Sequence, residues 1–182
     1  MKKTLFLAIL FSALGASSAS ANPYVSGSIG LGLQGNAAFD GVDYKLDNSV
    51  VGNGAIGYNF KPVRVELGVG YQQHAYIDYP EYADVSFLTV LANGYYDFNL
   101  GSEFSPYLTA GVGMADVKTA DHYVEQTVFA WKVGAGVGVK VASNVTLDLG
   151  YQYLKPEGLS SINHEKVSWA GNNILAGIRY EF

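Results

Sequence analysis

The chain contains no cysteine, five prolines and three histidines in 182 residues. Beyond its first segment, no apolar run approaches the eighteen residues that a membrane-crossing helix needs. Without cysteine there is neither a disulfide framework nor a thiol for N-terminal lipidation. Scarce proline leaves long extended segments uninterrupted, and helical periodicity is absent throughout. His74, His122 and His164 lie far apart with no closely spaced ligand pair, so no metal site is expected, and no cofactor motif is present. Acidic residues outnumber basic ones, 16 against 11, which disfavours nucleic acid as a partner. What the chain has in quantity is glycine, 22 residues, and tyrosine, 14.

The N-terminus reads as an address. Lys2 and Lys3 precede an apolar run over residues 5–14, and small residues follow to Ala19, Ser20 and Ala21. This is the pattern of a secretory signal cleaved between Ala21 and Asn22. The expected organisation is therefore a signal over 1–21 and one domain over 22–182.

That domain alternates with the period of a strand. Residues 63–73 show it most clearly: Val63, Val65, Leu67, Val69 and Tyr71 share one parity, against Arg64, Glu66, Gly68, Gly70 and Gln72 on the other. Strands of this kind are expected at 24–34, 50–60, 63–73, 85–98, 106–115, 127–141, 145–154 and 167–182. The connections run long, short, long, short, long, short, long, with 35–49, 74–84, 116–126 and 155–166 as the long loops. Even strand number with alternating turn and loop lengths is the layout of a transmembrane barrel. Ring positions agree: Tyr58, Phe60, Tyr96, Phe98, Tyr180 and Phe182 fall at one end of the apolar rows, and Tyr71, Phe129, Trp131, Tyr151 and Tyr153 at the other. Two aromatic girdles bounding aliphatic side chains mark a lipid-facing wall. The fold expected is all-β, a closed eight-stranded antiparallel transmembrane β-barrel of up-and-down order.

Eight strands enclose a space that side chains can fill. The inward parity carries Arg64, Lys132, Lys140 and Arg179 against Glu66, Asp97, Asp148 and Glu181, a balanced set. Ions with little access to water must pair, so Arg64 is expected to meet Asp97, Asp148 to meet Arg179, and Glu66 to complete a cross-barrel network in a plugged, polar interior. Inward glycines leave room either for rings such as Tyr95 and Tyr107 or for a narrow ion path.

The long loops hold Asp40, Asp43, Asp47, Asp78, Glu81, Asp84, Asp116, Asp121, Glu125, Glu157 and Glu165 against only Lys45, Lys118, Lys155 and Lys166. Such a surface repels nucleic acid, heparin-like polymers and bare anionic lipid, and could share the divalent cations that bridge lipopolysaccharide phosphates. Phe39, Tyr44, Tyr76, Tyr79, Tyr82 and Tyr123 in the same loops would suit recognition of a host surface molecule, or would stack on the barrel rim. Catalysis needs a nucleophile beside a base; the nearest set is Ser160, Ser161, His164 and Glu165 in one loop, so no catalytic residue is assigned.

Residues 105–113 (SPYLTAGVG), 130–138 (AWKVGAGVG), 145–154 (VTLDLGYQYL) and 173–182 (NILAGIRYEF) resemble the small eight-stranded outer-membrane barrels: the OmpA transmembrane domain, OmpX and the opacity-type surface antigens. The resemblance implies a monomer in the bacterial outer membrane, with its N-terminus periplasmic and its long loops extracellular. Outer-membrane lipids and lipopolysaccharide would be its neighbours. It further implies that Ile178, Tyr180 and Phe182 are read by the barrel-assembly machinery. The function expected is non-enzymatic, structural or surface-exposed. A small porin-like channel is the second reading and a lipid A-modifying enzyme the third.

Overall fold

Eight strands with one apolar and one mixed face roll into a wall that closes on itself, so that no strand edge is left in the membrane. The computed structural model describes residues 21–33, 35–39, 42–46, 48–74, 85–119, 125–159 and 167–182. The elements are β1 (Asn22–Leu33), β2 (Gly35–Phe39), β3 (Val42–Leu46), β4 (Ser49–Asn59), β5 (Val63–His74), β6 (Val85–Asp97), β7 (Phe104–Thr119), β8 (Glu125–Lys140), β9 (Val145–Glu157), β10 (Val167–Ser168) and β11 (Gly171–Glu181). The barrel order is β1-β11-β9-β8-β7-β6-β5-β4, antiparallel throughout. Closure is made at β1, which pairs Val25 with Tyr180 of β11 on one side and with Ile56 of β4 on the other.

Side-chain exposure follows the alternation. Ile29, Leu31, Val69, Val112, Leu149 and Ile178 are exposed on the outer wall, while Arg64, Gln72, Asn93, Lys132 and Arg179 are buried within. The barrel has a turn end and a loop end. At the turn end, Phe60 N–H donates to Val63 O at 2.8 Å across Lys61 and a cis Pro62. Asn99 Oδ1 accepts from Gly101 N–H at 2.9 Å in a turn where Gly101 takes a φ of 68°, a conformation open to glycine at little cost. Val141 N–H donates to Val145 O at 3.0 Å in the third turn.

The loop end departs from expectation in three ways. Residues 35–49 are not a plain loop: β2 and β3 form a hairpin that continues into a separate three-stranded sheet of order β10-β2-β3. The last strand is not continuous either. β10 joins the outer sheet, the chain bends at Trp169 and Ala170, and only β11 lies in the barrel wall. Finally, β7, β8 and β9 outrun their expected limits, so Asp116, Lys118, Glu125, Lys155 and Glu157 are strand residues rather than loop residues. The 15 paired positions of β7 and β8 provide the backbone hydrogen bonds that hold this extension.

Candidate functional site

The interior is layered. Nearest the turn end, Asn59 Nδ2 donates to Glu181 Oε1 at 2.9 Å, and Arg179 Nη1 lies 3.8 Å from the same oxygen. Arg179 also faces Asp148, with Nη2 to Oδ1 at 3.5 Å and Nε to Oδ2 at 3.4 Å. This pair is loose, and Nε makes no well-aligned hydrogen bond.

Arg64 and Asp97 form the tight pair. Nε donates to Oδ2 at 2.7 Å and Nη2 to Oδ1 at 2.8 Å, the bidentate fork that suits a guanidinium and a carboxylate. The Arg64 guanidinium is also stacked among rings, 4.2 Å from the centroid of Tyr95, 5.4 Å from Tyr107 and 6.0 Å from Tyr24. Such contacts favour a cation that has left water. Glycine makes room for one of these rings: a Cβ at Gly136 or Gly150 would run into the Tyr107 hydroxyl.

Glu66 reaches across the lumen without meeting a cation. It accepts from Tyr24 Oη at 3.0 Å, Tyr95 Oη at 2.7 Å and Asn93 Nδ2 at 3.1 Å, so its charge is spread over hydroxyl and amide donors. Lys132 is 9% exposed and makes no hydrogen bond or ion pair with any described residue. It lines, with Glu66, Asn93 and Thr109, a cavity of about 100 Å³, large and polar enough for several waters. Asn93 Oδ1 and Thr109 Oγ1, both without a protein partner, line the same space. Lys140 joins no ion pair among the described residues: it is the last residue of β8, exposed at the turn-end mouth of the barrel. The interior ions thus form one tight pair, one loose group in which Arg179 lies between Asp148 and Glu181, one hydroxyl-bound carboxylate and two lysines outside any direct pair.

Above the ions lies an amide layer that charge counting does not reveal. Gln72 and Asn173 exchange hydrogen bonds at 3.2 Å in each direction, and Gln72 Nε2 donates to Ser49 Oγ at 2.9 Å. The bridge passes over Gly32, where a Cβ would collide with both Ser49 Oγ and Gln72 Nε2.

Toward the loop end the inner face of β6, β7, β8 and β9 turns apolar beside these amides, so the interior is not the wholly polar plug expected. Phe87, Leu91, Ala115, Val117, Val128, Ala130, Leu154, Leu159 and Trp169 form one buried cluster. Trp169 enters from the bend after β10 and Leu159 from the far end of the same connection, just past Gly158 at a φ of 78°. The signal was present in parity, since Phe87, Leu91, Val117, Val128 and Leu154 all sit on inward rows that turn apolar toward the loops.

On the outer wall the girdles are paired rings. Tyr58 with Phe60, Tyr96 with Phe98 and Tyr180 with Phe182 have centroids 6.4, 5.0 and 5.1 Å apart at the turn end. Toward the loop end Trp131 packs on Tyr153 at 5.6 Å, beside exposed Tyr71, Phe129 and Tyr151. The side chains of the three histidines, of Phe39, Tyr44, Tyr76, Tyr79, Tyr82 and Tyr123, and of the serine–histidine set at 160–165 lie outside the described residues, as does the signal with Ala19. Among the described residues no three His, Asp or Glu gather as metal ligands.

Known proteins share this architecture. Over 175 residues the chain is 31% identical to outer membrane protein PagN of Salmonella typhimurium, covering 73% of each chain. It is 29% identical over 185 residues to RC1281 of Rickettsia conorii, which carries a provisional adhesin designation, covering 78% of this chain and 74% of that one. Neisserial surface protein A superimposes with a TM-score of 0.68 at 23% identity, over 89% of this chain and 99% of that structure. A family model, outer membrane protein beta-barrel domain, matches residues 4–182, and the chain belongs to that family.

Proposed function

We propose that this barrel is a surface-displayed attachment protein that acts through its loop end, without catalysis and without conducting ions. The observation that carries the reading is the apolar cluster around Trp169 and Phe87, which packs within the loop end of the barrel and is joined through Trp169 to β10 of the sheet β10-β2-β3. A barrel stoppered in this way offers a platform rather than a passage. An eight-stranded wall leaves no spare diameter to offset the stopper. The adhesin designation of RC1281 supports the same direction. The charge of the loops favours a neutral or basic host protein surface over a sulfated polysaccharide.

In this reading the N-terminus lies in the periplasm and the loop end outside the cell. The signal is removed between Ala21 and Asn22. Ile178, Tyr180 and Phe182 engage the barrel-assembly machinery, and the folded protein is a monomer among outer-membrane lipids and lipopolysaccharide.

The test is adhesion to cultured host cells by a non-adherent bacterium expressing the chain, compared with a variant whose residues 35–46 are replaced by a short turn. Binding that depends on the hairpin is expected; binding no higher than that of the empty host strain sinks the proposal. The channel reading is tested by planar-bilayer recording, in which discrete conductance steps would displace the platform reading.

A further inference from the structure

We infer that the outer wall from β5 to β9 carries a site for a phosphorylated acyl lipid of the leaflet at the loop end. The inference rests on the orientation proposed above, and it concerns the wall rather than the loops.

Outward charge is distributed unevenly. Among the described strand side chains of outward parity, the only ions are Asp116 and Lys118 at the loop end of β7 and Lys155 and Glu157 at that of β9. The corresponding ends of β1, β4, β5 and β11 present Leu31 and Leu33, Val50, Gln73 and Asn172. Among the described strand side chains, an ordinary shell of lipid would meet charge at the rim on this side alone.

The charged side has a defined geometry. Lys155 stands directly opposite Trp131 in the β8–β9 register. Its Nζ lies 3.4 Å from Glu157 Oε1, which also accepts the Trp131 indole N–H at 3.0 Å. The indole holds the carboxylate from one side, so Lys155 is steered to the head of the aromatic band with N–H groups to spare. On the far side of β8, Lys118 and Asp116 repeat the arrangement at 3.5 Å. Alternating ammonium and carboxylate groups complement a phosphate accompanied by a divalent counter-ion.

Trp131 also closes the upper end of an apolar groove of about 680 Å³. Ala92, Gly94 and Ala110 form its floor, and Leu67, Val112 and Trp131 its flanks. A Cβ at Gly94 would meet nothing within 4 Å, so the floor is open. A chain lying in this trough delivers its headgroup to Lys155. Apolar groove and cationic head adjoin one another on this side of the barrel, which fits one lipid here.

Native mass spectrometry of the full-length barrel in detergent tests this, using diphosphoryl lipid A and its phosphate-free form as probes. One retained diphosphoryl lipid A is expected. Retention should fall roughly tenfold in Lys155→Gln, as for loss of one charge-assisted hydrogen bond. Ala110→Leu, which fills the groove, should lower it too, while Gly27→Leu on β1, across the barrel from β7, should not. Heat-modifiable gel mobility checks that each variant is folded. Retention of the phosphate-free lipid equal to that of diphosphoryl lipid A, or equal retention of diphosphoryl lipid A by Lys155→Gln and wild type, overturns the inference. So does a dimer abolished by Ala110→Leu, since the groove would then hold a second copy. Protease accessibility of the hairpin on intact cells reads the orientation separately. Lipid retention alongside absent host-cell adhesion would leave this site standing and remove only the attachment role.

Discussion

Trp169 lies face to face on Phe87, with ring centroids 4.0 Å apart and planes 16° apart, although one ring comes from the bend after β10 and the other from β6. The stack joins the outer sheet to the barrel wall. β10 pairs with β2 immediately before the bend, and a Cβ at Gly171 immediately after it would strike the indole. One ring thus anchors the connection, the hairpin's neighbour and the stopper together.

Trp169→Ala should therefore cost about 3–5 kcal/mol, as for other buried aromatic rings cut back to alanine. Urea titration followed by the heat-modifiable gel shift measures it. A midpoint unchanged from wild type would show that the cluster contributes nothing to holding the barrel shut.

The two ion pairs predict unequal losses. Arg64→Ala leaves the half-buried Asp97 without its fork and removes the cation from three rings, an expected cost of about 3 kcal/mol. Arg179→Ala breaks a pair no closer than 3.4 Å and should cost less. Arg64→Lys keeps the charge but not the bidentate geometry, and should fall between wild type and Arg64→Ala. Double-mutant cycles with Asp97→Ala and Asp148→Ala give the coupling energies, and a larger value for Arg179–Asp148 would refute this ranking.

Much of this interior was legible because two constraints act on every strand at once. Lipid demands an apolar outer row, and a sealed lumen demands balanced ions, so parity alone assigned Arg64 and Asp97 to the same space. The hairpin over 35–46 was hidden for the opposite reason. Its polar ends at Gly35, Asn36, Asp40 and Gly41 have loop composition, and β2 finds its second partner more than a hundred residues later in β10. Strand periodicity is local, whereas that pairing is not. Trp169 shares the inward parity of Asn173 and Arg179, so the alternation runs through the bend without marking it. Lys132 shows the remaining limit: parity placed it inward, but whether an ion inside finds a counter-ion or a water-sized space depends on side-chain reach across the lumen.

Lys132→Met follows from that placement. The ammonium has no direct partner among the described residues, so its removal breaks no ion pair and leaves the aliphatic stem packed. Stability should change by less than about 1 kcal/mol, and methionine will be neutral or stabilising where a buried charge was hydrated at a cost. The same urea titration decides, with Arg64→Met as the comparison. A loss as large as that of Arg64→Met would mean that Lys132 and Glu66 are coupled strongly through the cavity.

Deletion of Phe182 separates folding from delivery. The residue is 72% exposed, its N–H donates to Pro23 O at 3.0 Å, and its ring touches Tyr180 edge-on. None of these contacts is part of the ion network or the apolar cluster, and β1 still closes on β11 through ten paired positions from Tyr24 to Leu33 without it. Refolding of the purified deletion variant into detergent should therefore match wild type in yield and in urea midpoint. Surface delivery in living cells should fall, because the exposed ring at the end of the girdle is the part left for the assembly machinery to grip. Should refolding in detergent fail as well, Phe182 is a structural residue of the barrel and the delivery defect follows from instability. Unchanged delivery would instead place the recognition signal elsewhere in β11, with Ile178 and Tyr180 as the next positions to alter.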